Sequence, residues 1–396
     1  MTEALEMPLH LWRDGFGPAA ELERLRIEAP ITRIQLPDGA SAWLITRHAD
    51  IRAVLGDAAR FSNHGLPQDR RSDGENDRSP FPAGFFLAYD PPEHTRLRQM
   101  LAPEFTAAGM RQLQPRVETV VAECLDRMAE ADPPVDLITA FALPVPSLVI
   151  CELLGVPYES RAKFQARSHK RLDAFLSPDE LGKLNLEFHT FMTELVARQR
   201  KKPDENLIGT LIRKHGDDLT DEELAGIADL LLFNGHESTA NMLGIGTLLL
   251  LRHPDQLARL RSEPAAVAGA VEELLRYLSV VNSAMPRTAL EDVTIAGQVV
   301  KQGEQVFCSL TTANRDEALG EGLGSLDLSR TGFSHVAFGH GIHYCIGAPL
   351  ARMEMRIAYP ALLRWFPGLR LAVPFDEVPF RSYSYVHGIE SLPVTW

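Results

Sequence analysis

One cysteine inside a glycine-rich loop constrains this chain more than any other feature. Residues 338–347 read FGHGIHYCIG, so three glycines surround Cys345. Glycine at this density indicates a sharply turned backbone, with positive φ allowed, that passes close to another group. The apolar spacing of residues 348–363 predicts an amphipathic helix directly after the loop. The positive end of that helix would lower the pKa of the Cys345 thiol and favour a metal-binding thiolate.

Two other interpretations of the loop stay open from the residues alone. Cys345 could be a buried free cysteine, which is the commoner case for a single cysteine. The loop histidines with Cys345 could also bind zinc, although the paired C-x-x-C spacing typical of zinc sites is missing. The candidate zinc ligands would be His335, His340, His343 and Cys345.

The ten-residue block as a whole resembles the haem-ligand loop of the cytochrome P450 monooxygenases. The resemblance implies haem b (heme b, Fe-protoporphyrin IX) as the cofactor. It also implies that Cys345 is the cofactor-binding residue that ligates the iron.

Charge and cysteine spacing exclude several classes of protein. The net charge is −13, from 53 acidic and 40 basic side chains, which argues against nucleic acid as the main partner. Four widely spaced cysteines form no disulfide framework, so a cytoplasmic protein is expected. Residues 1–12 lack the apolar core of a signal peptide. The apolar residues 227–251 are interrupted by charged and amide side chains, so we predict no membrane span.

Helical patterns dominate the rest of the chain. Thr220 and Glu223 form a capping-box pattern that begins a long helix ending near Arg252. Alternating residues at 31–36 and 42–46 predict a β-hairpin. Further helices are expected at residues 49–55, 93–100, 110–131, 147–154, 161–175, 178–201 and 265–278, and short strands near 292–296, 305–309 and within 369–396.

This pattern predicts a mainly α protein with small β-sheets. Since no linker, charge block or repeat divides the chain, we predict a single domain over residues 1–396. The order of the elements is similar to that of the cytochrome P450 fold, and the resemblance covers nearly the whole chain.

The middle of the long helix carries the polar block NGHEST at residues 234–239. A glycine inside a helix costs about 1 kcal/mol relative to alanine, which favours a close approach of another group. Hydroxyls beside a carboxylate can relay protons, but they can equally bond back to the preceding helical turn. The block resembles the oxygen-activating stretch of the cytochromes P450, which implies catalytic roles for Glu237, Ser238 and Thr239.

Two positions of this block depart from the family pattern. Asn234 stands where alanine is usual, and Ser238 stands where threonine is usual. Without the threonine methyl group the hydroxyl rotamer is less fixed. We therefore expect oxygen activation to be retained but less tightly coupled to substrate oxidation, with alkene epoxidation favoured.

A second helix carries Glu273 and Arg276, an opposite-charge pair at three-residue spacing. Such pairs are common on helix surfaces and carry little information alone. By resemblance to the Glu-x-x-Arg pair of the family, we predict a buried structural role in holding the Cys345 loop, with Arg330 as a third member.

Four basic residues are candidates to bind the two haem propionates. His94 and Arg98 share a helix face at i, i+4 spacing, Arg287 begins a predicted strand, and His343 precedes Cys345 by two residues. For any one of them, a solvated surface base is the commoner case. As a set, they match the propionate contacts implied by the resemblance.

Residues that contact the substrate are implied only by the resemblance, and core packing is the alternative for the aromatic ones. The implied regions are 62–87, 164–183, 280–285 and 383–386, with a polar lid within the first. The specific candidates are Phe233, Asn234, Ala284 and Tyr385.

The resemblance implies a monooxygenase that inserts one oxygen atom of O2 into an organic substrate, by hydroxylation or epoxidation. Because the chain has no glycine-rich dinucleotide motif, electrons are expected from a ferredoxin and an NAD(P)H-ferredoxin reductase. A docking patch, or ordinary surface charge, is predicted at Arg96, Arg352, Arg356 and Arg364.

The sequence is similar to actinobacterial family members that tailor polyketide macrolides in antibiotic biosynthesis. A large, apolar, partly hydroxylated small molecule is therefore the expected substrate. Two alternatives stay open: a haem-thiolate enzyme that uses peroxide directly, and a non-catalytic haem-thiolate sensor.

Overall fold

The structure is a computed structural model that describes residues 9–36, 39–64, 82–157, 160, 177–381 and 384–396. The helices of these residues are α1 (Ala20–Glu28), α2 (His48–Gly56), α3 (Glu93–Leu101), α4 (Ala107–Ala129), α5 (Pro144–Leu154), α6 (Pro178–Lys201), α7 (Leu207–His215), α8 (Asp221–Arg252), α9 (Pro254–Ser262), α10 (Val267–Leu278), α11 (Leu310–Ala313) and α12 (Ala348–Trp365).

The strands are short and form small sheets. They are β1 (Arg13–Asp14), β2 (Gly17–Pro18), β3 (Ile31–Gln35), β4 (Ser41–Ile45), β5 (Phe61–Ser62), β6 (Val135–Asp136), β7 (Arg287–Ala289), β8 (Val293–Ile295), β9 (Gln298–Val300), β10 (Gln305–Cys308), β11 (Arg370–Leu371) and β12 (Pro393–Thr395). The largest sheet has the order β3-β4-β10-β7-β5, in which β4 and β10 run parallel and the other pairs are antiparallel. The prediction of a mainly α fold with small β-sheets is confirmed.

Helix α8 is the central element. The Thr220 hydroxyl accepts from the Glu223 N–H, and the Glu223 carboxylate accepts from the Thr220 N–H, so the predicted capping box is present. Its 32 residues span about 48 Å. Both α5 and α6 pack across it, and α12 packs beside it. Most of its side chains are buried, which explains an apolar pattern with no clear polar face.

Local sequence signals located several helix ends correctly. The α6 bounds agree with the predicted 178–201, because Ser177 accepts from the Glu180 N–H at the start and a capping box forms there. The predicted hairpin is the antiparallel pair β3–β4. The predicted helix at 161–175 and the polar lid lie outside the described residues.

No helix among the described residues is both long enough and apolar enough to cross a membrane.

Candidate active site

The backbone of the cysteine loop has the turns that its glycines predict. Gly339 and Gly341 have φ values of 72° and 75°, which side chains other than glycine rarely adopt. A Cβ atom at Gly341 would lie 2.2 Å from the carbonyl oxygen of Leu55 at the end of α2. The Cys345 N–H donates to the Phe338 oxygen at 2.9 Å and closes the loop just before α12 begins. The predicted loop-to-helix position of Cys345 is confirmed.

The electrostatic prediction for Cys345 needs correction. Cys345 has accessible surface in the cavity that it lines, but the surrounding protein keeps its sulfur from bulk water. This desolvation raises the pKa of the Cys345 thiol, while the N–H groups of Gly347 and Ala348 and the charge of Arg98 lower it by less. The helix N-terminus therefore opposes the shift but does not reverse it. A bound metal cation would favour the thiolate and release the proton.

The zinc interpretation is not supported by the positions of the candidate ligands. Among the residues that the structure describes, no group of three or more His, Cys, Asp or Glu side chains could hold a metal ion. His335, one of the candidates, is hydrogen-bonded to Glu272 at 3.2 Å instead.

Cys345 lines a largely apolar cavity whose wall also includes the middle of α8. From α8, the wall includes Asn234, Gly235, Ser238 and Thr239. Further apolar lining residues are Leu87, Ile150, Leu231, Val280, Ala284 and Met285. A sulfur donor and a polar helix segment thus line the same apolar space.

The four predicted propionate ligands lie close together at this cavity. Arg98, Arg287 and His343 line it, and the ring centroids of His94 and His343 are 4.2 Å apart. Burial, then the charges of Arg287, His94 and Arg98, lower the pKa of His343 to about 2. Burial, then Arg98, lowers the pKa of His94 to about 4.

These bases are not neutralised by an ion pair among the described residues. Arg98 and Arg287 donate to the carbonyl oxygens of Tyr344 and Met285, and neither ring nitrogen of His94 has a hydrogen-bond partner. Asp90 is the carboxylate whose charge acts on His94 and Arg287. Burying bases such as these two is costly without a closely paired counter-charge. A flat apolar cofactor with two carboxylates and a metal fits this donor set, since the sulfur and three of the bases line one apolar cavity. The residues therefore fit haem b.

The polar block of α8 divides between the cavity and the protein interior. Ser238 lines the cavity and its hydroxyl donates to the Asn234 oxygen at 3.4 Å, while Thr239 lines the cavity beside it. The buried Glu237 is not among the lining residues. Its Oε1 accepts from Arg381 at 2.5 Å and from Asn241 at 3.3 Å.

Gly235 has a packing explanation as well as a place in the cavity wall. A Cβ atom at this position would lie 2.9 Å from the Ile150 side chain of α5. The close approach expected at this glycine is therefore at least partly between helices α5 and α8.

The predicted contacts of the charge pair Glu273 and Arg276 are confirmed. Nε and Nη2 of Arg276 each lie 2.7 Å from a Glu273 oxygen, and both side chains are almost fully buried. Arg330 is a third member at 3.4 Å. Arg276 also donates to the carbonyl oxygens of Asn314 and Leu323, which fixes the segment that leads to the cysteine loop.

The substrate candidates separate into two groups. Asn234 and Ala284 line the cavity, whereas Phe233 and Tyr385 are not among its lining residues. Tyr385 is 69% exposed. Its carbonyl oxygen accepts a hydrogen bond from the Asn282 N–H, so the contact of this segment with the 280–285 region is made by the backbone. Tyr383, in the predicted segment 383–386, lies outside the described residues.

The predicted basic patch is partly neutralised by a residue that the sequence did not indicate. Glu272 on α10 accepts two hydrogen bonds of 2.8 Å from Arg352 and one of 3.2 Å from Arg356. Arg96 is paired with Glu223. Arg364 is exposed.

Sequence reasoning also missed Glu354, which lines the cavity and is 1% exposed. The sequence feature that could have indicated Glu354 is its position between Leu350 and Ala358. These three residues follow one another at i, i+4 spacing on the apolar face of α12. Burial raises the pKa of Glu354 well above 4.5, and Oε2 has no hydrogen-bond partner in the described part of the chain.

Glu354 should make the protein less stable as the pH rises. Above about pH 4.5 the carboxyl of the unfolded chain loses its proton while the folded protein keeps it, so the folded state binds more protons. We expect Glu354→Gln to gain stability relative to the unsubstituted protein between about pH 5 and pH 8. Denaturant midpoints across this range test this, with Glu263→Gln at an exposed site as the control. Parallel curves for Glu354→Gln and the unsubstituted protein would contradict it.

The comparisons with known proteins identify the family of the chain. Residues 179–319 and 324–371 match the sequence profile described as Cytochrome P450. Cytochrome P450-SU2 of Streptomyces griseolus is 46% identical over 389 residues, covering 96% of this chain and 94% of its own.

Two solved structures have closely similar folds. The P450 StaH from glycopeptide antibiotic A47934 biosynthesis superposes with a TM-score of 0.89 at 46% identity, covering 99% of this chain and 100% of its own. CYP105P1 in complex with filipin I has a TM-score of 0.90 at 38% identity, covering 96% of each chain. The chain therefore belongs to the cytochrome P450 family and is a haem b monooxygenase.

Proposed function

We propose that this monooxygenase tailors a secondary metabolite in antibiotic biosynthesis, by hydroxylation or epoxidation. The observation that carries the proposal is the apolar cavity lined by Cys345 and by Asn234, Gly235, Ser238 and Thr239 of α8. A polyketide macrolide is the first substrate class, supported by the similarity to a protein solved with filipin I. A glycopeptide precursor is the second, supported by the similarity to StaH.

In this proposal the chain's residues hold the cofactor and deliver protons. Cys345 ligates the iron, and His94, Arg98, Arg287 and His343 bind the propionates. When bound, haem b supplies the binding and reductive activation of dioxygen.

Protons would reach the cavity through the hydroxyl oxygens of Ser238 and Thr239, which are shielded from bulk water by the apolar wall. Glu237 would resupply them by leaving Arg381, taking up a proton from solvent and passing it to these hydroxyl groups. In the structure the ion pair with Arg381 holds its carboxylate, which is not part of the cavity wall.

The proposal also includes the partners and the location. Electrons would come from a ferredoxin and an NAD(P)H-ferredoxin reductase in the cytoplasm, and residues 1–396 would act as one haem domain. Because Glu272 already pairs with Arg352 and Arg356, Arg364 is the candidate docking cation with its charge most available.

Turnover with NADPH, ferredoxin and reductase tests the proposed function. Spectral titration with macrolides, glycopeptide precursors, steroids and terpenoids first identifies ligands, and product analysis under labelled O2 then follows the oxygen atom. Oxidation only with added peroxide would favour the peroxygenase alternative. Binding without any oxidation would favour the sensor.

Restoring the family residue at Ser238 should tighten coupling. We expect Ser238→Thr to raise the fraction of NADPH that yields product and to shift products from epoxide towards alcohol, because the methyl group fixes the hydroxyl rotamer. Product and NADPH are measured with one alkene substrate, and Thr311→Ser, a buried hydroxyl outside the cavity wall, is the control. Unchanged coupling and product distribution would reject the hypothesis.

Removal of one base at the propionate end should weaken haem binding. A hydrogen bond to a charged group contributes roughly 1.5–3 kcal/mol, so Arg287→Met should lower haem affinity about 10- to 100-fold. Haem transfer to an excess of apomyoglobin measures the loss, with circular dichroism as the check on folding. Arg60→Met, at an exposed arginine paired with Asp57, is the control. Equal transfer from both variants would exclude Arg287 from haem binding.

A further inference from the structure

The amide of Asn234 has a defined orientation in the cavity wall. Its Nδ2 lies 2.9 Å from the Leu230 carbonyl oxygen, one turn earlier on α8. Because a carbonyl oxygen only accepts hydrogen bonds, the amide nitrogen must be the atom at this position. Oδ1 and the second N–H then have no hydrogen-bond partner among the described residues, and Asn234 is an exposed residue of the cavity wall.

Two other hydroxyl groups of the cavity wall already donate to the backbone. The Ser283 hydroxyl points to the carbonyl oxygens of Ala284 at 3.0 Å and Cys308 at 3.1 Å. The Ser238 hydroxyl points to the Asn234 carbonyl oxygen at 3.4 Å. Arg98, Arg287 and His343 are assigned to the propionates, and Thr239 contributes one further hydroxyl to the wall. Asn234 therefore adds an amide acceptor to this wall of α8.

We propose that Asn234 selects substrates that carry a hydroxyl group close to the oxidised carbon. The inference rests on the proposed function, since it assumes that the substrate occupies this cavity. A hydroxyl can donate to Oδ1 and accept from the remaining N–H, which an ether or a hydrocarbon cannot do together. A purely apolar ligand would bury Oδ1 without a partner, which is unfavourable.

The position of Asn234 also limits where oxidation takes place. Asn234 precedes Ser238 by four residues, so the two residues lie about 6 Å apart along the helix axis, on the same face of α8. A substrate hydroxyl bound at Asn234 therefore lies within a few bonds of the carbon presented beside Ser238 and Thr239.

Equilibrium binding to the haem-bound protein tests this selection. The probes are 1-adamantanol, 1-methoxyadamantane and adamantane, which share one rigid body and differ in hydrogen bonding and by at most a methoxy group. The effect of size on binding is removed by comparing the same ratio between protein variants. For each protein, the ratio of Kd for the ether to Kd for the alcohol is obtained by spectral titration. We expect this ratio to fall about tenfold in Asn234→Ala, as the loss of a neutral buried hydrogen bond predicts. Asn234→Leu, of similar size, should show the same fall.

Ser283→Ala is the matched control, because it removes a cavity hydroxyl that is committed to the backbone. Its ratio should equal that of the unsubstituted protein. An unchanged ratio in both Asn234 variants overturns the inference. Such a result would mean that the preference for the alcohol does not depend on the amide, as when the alcohol coordinates the iron directly. Because binding needs neither oxygen nor electrons, a failure of turnover alone leaves this result intact.

Discussion

Cys345→Ser is expected to remove the red-shifted Soret band of the reduced carbonyl complex and to abolish oxygenase turnover. A serine hydroxyl has nearly the same shape, but it does not ionise as a thiol does and is a poor donor to iron. The loop backbone should keep its shape, since it depends on Gly339, Gly341 and the Cys345 N–H rather than on sulfur. Spectra of the reduced protein under carbon monoxide measure the first effect, and product formation measures the second.

Cys124→Ala is the control for this substitution. Cys124 is buried in α4, where burial raises the pKa of its thiol to about 11, and it is not among the cavity-lining residues. Its replacement should lower stability by a small amount and leave the spectrum unchanged. A Cys345→Ser protein that kept the band and the turnover would show that another group ligates the iron.

Arg276→Met should destabilise the protein by about 3–5 kcal/mol, because it leaves the buried Glu273 carboxylate without its main partner. The Arg276 side chain also supplies the hydrogen bonds to Asn314 and Leu323, so the segment before the cysteine loop should loosen and haem retention should fall. Denaturant unfolding of the haem-bound protein measures the free energy, and haem transfer measures retention.

Two comparisons separate this effect from a general loss of charge. Arg259→Met breaks an exposed i, i+4 pair with Glu263 and should cost less than about 1 kcal/mol. The double variant Glu273→Leu/Arg276→Met should recover part of the loss, since it removes the unpaired carboxylate. Equal destabilisation by Arg276→Met and Arg259→Met would rule out a dominant role for the buried pair.

Local sequence signals predicted those parts of the fold that local physics determines. The capping boxes at Ser177 and Thr220 locate the starts of α6 and α8, because each cap involves residues only three positions apart. The family resemblance pointed to the pair Glu273–Arg276 and to the four bases proposed for the propionates. Side-chain spacing alone could not distinguish these residues from ordinary surface charges.

Partners distant in the chain were not predictable in this way. Arg381 lies 144 residues from Glu237, and Glu272 lies 80 residues from Arg352, so no periodicity relates them. The same limit explains Tyr385, whose segment is placed by pairing with Asn282 rather than by any local pattern. The sequence also does not show which side chains of α8 face the cavity. A helix buried on most sides has no polar face from which its orientation could be predicted.

The parallel pairing of β4 with β10 has a consequence for biosynthesis. Trp43 pairs with Val306, so the partner strand leaves the ribosome about 260 residues later. At a translation rate of 5–20 residues per second, β10 is synthesised roughly 15–50 s after β4. The edge of β4 that pairs with β10 stays unpaired for that time. During that interval the nascent chain offers an unpaired strand to other chains, and a chaperone that shields the first 60 residues would raise the yield of native enzyme.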